Sequence, residues 1–170
     1  MVVFSEHKPV GERASWQYGR DPSTLAVVNE FQALDSCQRE IRLLRENTLD
    51  PRLPRSQAVQ LMVRLHEIIG HVRKGCVRFD EPYPEATIMV RRPHVYELRP
   101  QMRSRLDRPT RELRLYCAEP AQDPGVVLGL HLATKPAGPD PTGEQNMAVE
   151  EASERADGWT KARIDESTAR

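Results

Sequence analysis

At 170 residues, with 25 Lys and Arg against 25 Asp and Glu, the chain carries a formal net charge of zero, which argues against a generic polycationic nucleic-acid coat. The length suits one domain that can bury a core without metal or disulfide staples. No run approaches the roughly 18 consecutive apolar residues of a membrane span, and the opening MVVFSEHKPVGER lacks the basic start and long apolar stretch of a secretion signal, so a cytoplasmic location is expected.

Residues 1–15 show no period and read as an N-terminal extension. Val27, Phe31, Leu34, Ile41 and Leu44 recur at helical spacing, which predicts helix over 23–47, with Asp35-Ser36 able to cap a second segment after a bend. Pro51 and Pro54 break it. Residues 56–74 form the clearest helix: Ala58, Leu61, Leu65, Ile68 and Val72 make one apolar stripe, Ser56 can cap the start and Gly75 fits the end. The two helices are expected to form an αα-hairpin. Strands are predicted at 87–90, 94–99, 111–119 and 126–133. A last helix starts near Thr142, which has capping-box spacing to Gln145, and presents Met147, Ala148, Ala152 and Ala156. Gly158-Trp159 is its expected end, leaving 160–170 as a flexible tail. This order predicts an α+β fold: an N-terminal helical hairpin packed on one face of a small, mainly antiparallel sheet, plus a C-terminal helix. The other sheet face would be partly open to a ligand.

The zero net charge hides an asymmetry. From Arg91 to Arg114 there are eight arginines and three acids, whereas acids outnumber cations after Pro139. Guanidinium groups bind phosphate bidentately, so the basic centre suits a nucleic-acid backbone as well as a solvated surface. Cys37, Cys76 and Cys117 lie far apart, with no CxxC pair, and read as three buried or half-buried thiols rather than a metal site or disulfide frame. His66 and His71 in HEIIGH are five residues apart and diverge by about 140° on a helix, which excludes a zinc-protease motif. No nucleophile elbow, P-loop or dinucleotide fingerprint is present, so neither cofactor nor metal is expected.

Strand alternation gathers the chemistry. In 111–119, Leu113, Leu115 and Cys117 read as core, with Glu112, Arg114, Tyr116 and Ala118 opposite. In 126–133, Val126, Leu128, Leu130 and Leu132 read as core, with Val127, Gly129, His131 and Ala133 opposite. Arg114, Tyr116 and His131 then share the non-core side, and Lys135 has the parity to join them. Arginine can neutralise phosphate, tyrosine can stack on a base or orient a hydroxyl, histidine can move a proton, and lysine adds charge. RNA cleavage by its own 2′-hydroxyl needs these functions and no metal. Each residue also has an ordinary reading: Arg114 and Lys135 as surface cations, Tyr116 as packing, His131 as a core histidine.

The runs VYELRP, LRLY and VVLGLHLATKP, followed by Ala152-x-x-Arg155 on a helix, resemble the RelE/ParE superfamily of toxins, closest to its phage-derived HigB-like branch. Glu97-Leu98-Arg99 matches one family strand, Arg114 and Tyr116 sit in the next, and Leu130-His131 with Lys135 matches the third. The upstream run GRDPSTLAVVNEFQAL is similar to the family's opening helix, and the resemblance covers roughly residues 16–159. Ala133 stands where the family has an aromatic, Pro136 replaces its second lysine, and the 100–110 connection is long. The resemblance implies a type II toxin acting as a ribosome-dependent mRNA endonuclease, with a ParE-like gyrase inhibitor or an inactive toxin-fold binder as alternatives. It implies Arg114, Tyr116, His131 and Lys135 as catalytic residues. Arg99, Arg103, Arg105, Arg108 and Arg111 would grip RNA phosphate. The implied partners are mRNA, the ribosome and a cognate antitoxin, often a helix-turn-helix protein.

Overall fold

The structure, a computed structural model, describes residues 30–79, 84–101, 109–120, 123 and 125–169. Their elements are β1 (Glu30–Ala33), α1 (Asp35–Arg45), α2 (Arg55–Lys74), β2 (Ala86–Ile88), β3 (Val95–Leu98), β4 (Arg111–Ala118), β5 (Val126–Pro136) and α3 (Glu144–Thr168). This is an α+β arrangement. The sheet has the order β1-β5-β4-β3-β2, antiparallel except for the parallel β1–β5 pair, so it is mixed.

The chain departs from the predicted helix over 23–47 at its described half. Glu30–Ala33 is a strand, and helix begins only at Asp35. Phe31 and Leu34 have helical spacing, but the four residues gain more by pairing with Val126–Gly129, the outer strand of an otherwise unfinished sheet. Residues 23–29 lie outside the described residues, as does the N-terminal extension. The second helix runs as expected, and Gly75 closes it in the left-handed region (φ 65°). Ser56 is not its cap; Pro54 occupies that position.

The sheet is covered on both faces, which corrects the expected open side. On one face α1 and α2 bury Cys37, Leu44, Leu61, Leu65 and Ile68 against Leu98, Leu113, Leu115 and Leu132. On the other, α3 lays Ala148, Val149, Ala152 and Ala156 on Val95, Tyr116, Leu128 and Leu130. The alanines let the helix axis come close to the sheet. Met147, expected on that apolar face, is exposed, and Val149 takes its place. The cap of α3 also differs: the Asp140 carboxylate accepts hydrogen bonds from the amides of Glu144 (3.0 Å) and Gln145 (2.9 Å), in place of a Thr142–Gln145 box. The helix continues through Gly158-Trp159 to Thr168, so residues 160–168, expected as a loose tail, are helical.

A β-bulge splits the predicted core face of β5. Tyr116 pairs with His131 but Cys117 pairs with Gly129, which leaves Leu130 as the extra residue. Leu132 therefore faces α1 and α2, while Leu128 and Leu130 face α3. No helix among the described residues is long and apolar enough to cross a membrane.

Candidate functional site

The bulge reverses the expected alternation of β5 before Leu130, where Val127 faces α1 and α2, but after it His131, Ala133 and Lys135 keep the expected pairing with β4. Glu112 pairs with Lys135, Arg114 with Ala133, Tyr116 with His131, and Glu97 of β3 with Tyr116. The predicted residues thus share one face, and same-face steps along a strand separate them by about 7 Å. They fall into two centres.

The first lies at a strand edge that no strand pairs among the described residues. Pairing of β3 with β4 ends at Leu98–Leu115, so Arg111–Arg114 extends past β3. A cavity of about 270 Å³ opens there, walled by Pro100, Gln101 and Pro109, Leu61 of α2, and Arg111, Glu112 and Arg114. Arg64 fastens the wall by donating from Nε to the carbonyl of Gln101 (3.1 Å). Arg114 is 2% exposed. Its Nη1 donates to the Leu113 carbonyl (2.8 Å), its Nη2 donates to Glu112, and its Nε lies 3.4 Å from Glu97 Oε1. Lys135 Nζ lies 3.3 Å from Glu112 Oε2. One carboxylate oxygen therefore bridges two cations. Arg111 donates to Thr134 Oγ1 (2.9 Å), to the Thr134 carbonyl (3.2 Å) and to Glu144 at the start of α3. Arg99 reaches Thr87 Oγ1 (3.4 Å), and its Nε lies 3.5 Å from Glu97 Oε1. Burial raises the Glu97 carboxyl above its ordinary range, against the pull of Arg114, Arg99 and Lys135 and a hydrogen bond from Gln145.

The second centre lies where β1 stops and the β5 edge would otherwise be bare. His131 Nδ1 is 2.9 Å from Glu40 Oε1 of α1. The same carboxylate accepts from the Leu132 amide (2.7 Å) and from Arg155 Nη2 of α3 (2.8 Å). Arg155 Nη1 donates to the Leu130 carbonyl (2.9 Å). Glu40 and Arg155 thus satisfy two backbone groups that no strand pairs among the described residues. Burial works against ionisation of Glu40, but the hydrogen bonds from His131, Arg155 and Leu132 outweigh it and hold the carboxyl below its usual range. The Tyr116 ring stacks on His131, with centroids 6.1 Å apart and planes inclined by 18°. Tyr116 is 1% exposed beneath α3. Burial, aided by the Glu97 charge, raises its phenol well above the ordinary value, so it stays protonated. It can position the imidazole but does not present its ring to a base.

Comparison of the chain with protein-family models, with curated proteins and with solved structures gave no match. The chemistry is therefore read from the two centres alone. The first offers fixed cations beside a cavity, a setting for an anion. The second offers an imidazole oriented through Nδ1, which leaves Nε2 for proton transfer.

Of the expected phosphate-gripping residues, Arg99 and Arg111 belong to the first centre, and Arg103, Arg105 and Arg108 lie outside the described residues. His66 and His71 have separate partners: the Met62 carbonyl and Glu85. The three cysteines are free thiols; Cys37 and Cys117 are buried, whereas Cys76 is exposed. Burial pushes the Cys37 thiol up to about 12. Glu40 was not singled out from the sequence, and Arg155 was named only in the motif of the resemblance and Glu112 only as sharing a face with Arg114, neither as a site residue. Glu40 follows Cys37 by three and precedes Leu44 by four, so a carboxylate on the apolar stripe of α1 was the available signal. Arg155 had the same signal on the alanine face of α3.

Proposed function

We propose that the protein is a toxin of the RelE/HigB kind, a metal-independent endoribonuclease that cuts mRNA on the ribosome and is restrained by a cognate antitoxin. The observation that carries this reading is Arg114, a buried guanidinium held in place by the Leu113 carbonyl and Glu97, beside Arg111 on the wall of a cavity where β4 runs past β3, with Lys135 joined to it through Glu112. Fixed positive charge in a water-poor setting is what stabilises a phosphate whose charge increases in the transition state. In support stands the chain order, in which two helices precede β2–β5 and one follows them, although β1 takes part of the run that the resemblance implied as an opening helix.

In the proposed reaction the 2′-oxygen attacks phosphorus and the P–O5′ bond breaks. The products are a 2′,3′-cyclic phosphate and a free 5′-hydroxyl. His131 Nε2 takes the proton of the 2′-hydroxyl and returns it to the departing 5′-oxygen, and Glu40 fixes the tautomer by accepting from Nδ1. Arg114 and Lys135 bind the non-bridging oxygens. Tyr116 positions His131 by stacking. Arg111 adds charge on the cavity wall, and Arg99 adds it beside Glu97.

A second reading is a non-cleaving binder of the same fold, including a gyrase inhibitor. It is favoured by one observation: the candidate cations and the histidine already face carboxylates, Glu112 and Glu97 at Arg114, Glu112 at Lys135 and Glu40 at His131. Programmed ribosomes incubated with the purified protein separate the two. New 5′-hydroxyl ends in the bound message, absent with Lys135→Ala, are expected for the nuclease; an intact message supports the binder.

A further inference from the structure

We propose that Glu112 is an internal competitor for the anion site of Arg114 and Lys135, so that a phosphate must displace this carboxylate in order to bind. The inference rests on the reading of those cations as a phosphate site. Glu112 and Lys135 are cross-strand partners, and Glu112 Oε2 touches both Lys135 Nζ and Arg114 Nη2. That oxygen occupies the place a phosphate oxygen would take, between Arg114 on the cavity wall and Lys135 on the neighbouring strand.

The three groups differ in their freedom to move. Arg114 is enclosed and anchored at two further points, the Leu113 carbonyl and Glu97. The Lys135 side chain is 14% exposed. The Glu112 side chain is 33% exposed and lines the cavity. Glu112 is therefore the member that can rotate out to solvent while the two cations stay. Arg114 keeps a partner in Glu97 when it does.

The competition is strong. A group tethered next to its site acts at an effective concentration in the millimolar range or above. A single phosphodiester carries one negative charge, as does the carboxylate, so a free diester gains little charge by the exchange. Displacement needs extra binding from elsewhere on the nucleic acid. Such a carboxylate would keep the site closed toward stray phosphate and short RNA, and open it toward a substrate held at several points.

The test is titration of the full chain with inorganic phosphate, followed by calorimetry and by ³¹P line broadening. Glu112→Gln keeps the shape but loses the charge, and is expected to bind phosphate at least tenfold more tightly than the wild type. Adding Lys135→Gln should abolish the gain. Glu112→Asp, too short to bridge both cations, should show part of the gain and covers the case in which the amide variant fails to fold. Folded variants that bind phosphate no better than the wild type would overturn the proposal. A gain in phosphate binding without any RNA cleavage by the wild type supports the competitor role and removes the nuclease reading. Cleavage by the wild type with no gain in the variants does the reverse.

Discussion

The carboxylate of Glu40 on α1 meets Nδ1 of His131 on β5 at 2.9 Å, across 91 positions of sequence. With Arg155 it closes the edge of β5 beyond the end of β1, so one cluster joins α1, β5 and α3. The arrangement serves stability and site geometry together, and the two roles can be measured apart.

Glu40→Ala leaves the Arg155 guanidinium and the Leu132 amide without their buried acceptor. The expected cost is about 3 kcal/mol, the usual result of removing one partner of a buried pair. Urea unfolding at neutral pH reads it as a lower midpoint with an unchanged slope.

The same carboxylate sets a pH dependence. Its folded pKa lies below the ordinary value, so the unfolded chain takes up the proton first as pH falls. The stability it adds is full above the ordinary carboxylate range and is lost as pH drops through the folded value. Glu40→Gln should flatten the acid limb of the stability curve below about pH 4.5, the ordinary Glu value. An unchanged limb in the variant would assign acid sensitivity to other carboxylates.

Tyr116→Phe should keep any RNA-cleaving activity within a few fold, because the ring acts by stacking on His131 and its hydroxyl stays protonated. Tyr116→Ala should cost about 3–5 kcal/mol through the cavity left under α3. Activity assays on the first variant and urea unfolding of the second check the pair.

Ala152 is fully buried where α3 lies on the sheet. Ala152→Leu is expected to destabilise by about 1–3 kcal/mol, since added methylenes force the helix away. Gly129 makes a similar close approach, because a Cβ there would lie 2.7 Å from Cζ of Phe31. Gly129→Ala should be destabilising alone and largely rescued by Phe31→Leu, which a double-mutant cycle in urea would show as positive coupling.

How far the sequence carried can be judged from particular residues. The stripe from Ala58 to Val72 and the terminating Gly75 were legible because helix period and cap chemistry are local. The shared face of Arg114, Tyr116, His131 and Lys135 was legible because strand period is local too. The strand at Phe31 was not, since its pairing with Val127 is a long-range parallel contact that overrode helical spacing. The bulge at Leu130 was invisible because one extra residue leaves no mark on composition, yet it sends Leu128 and Leu132 to opposite faces. The alanine face of α3 looked weak by apolar content, although small size is what lets it cover Tyr116. The carboxylate partners Glu40 and Glu112 come from an adjoining helix and a neighbouring position, and their roles depend on that packing.

The central claim is tested most directly by mapping new 5′-hydroxyl ends across the transcriptome after brief induction of the wild type and of Lys135→Ala. Lys135 pairs with the cavity residue Glu112 and is not one of the core residues, and thermal unfolding can verify that the variant is folded. The account predicts in-frame cuts inside translated messages with the wild type and their loss with Lys135→Ala. Intact messages with the wild type would contradict it, pointing to a gyrase inhibitor if growth stops and to an inactive binder if growth continues.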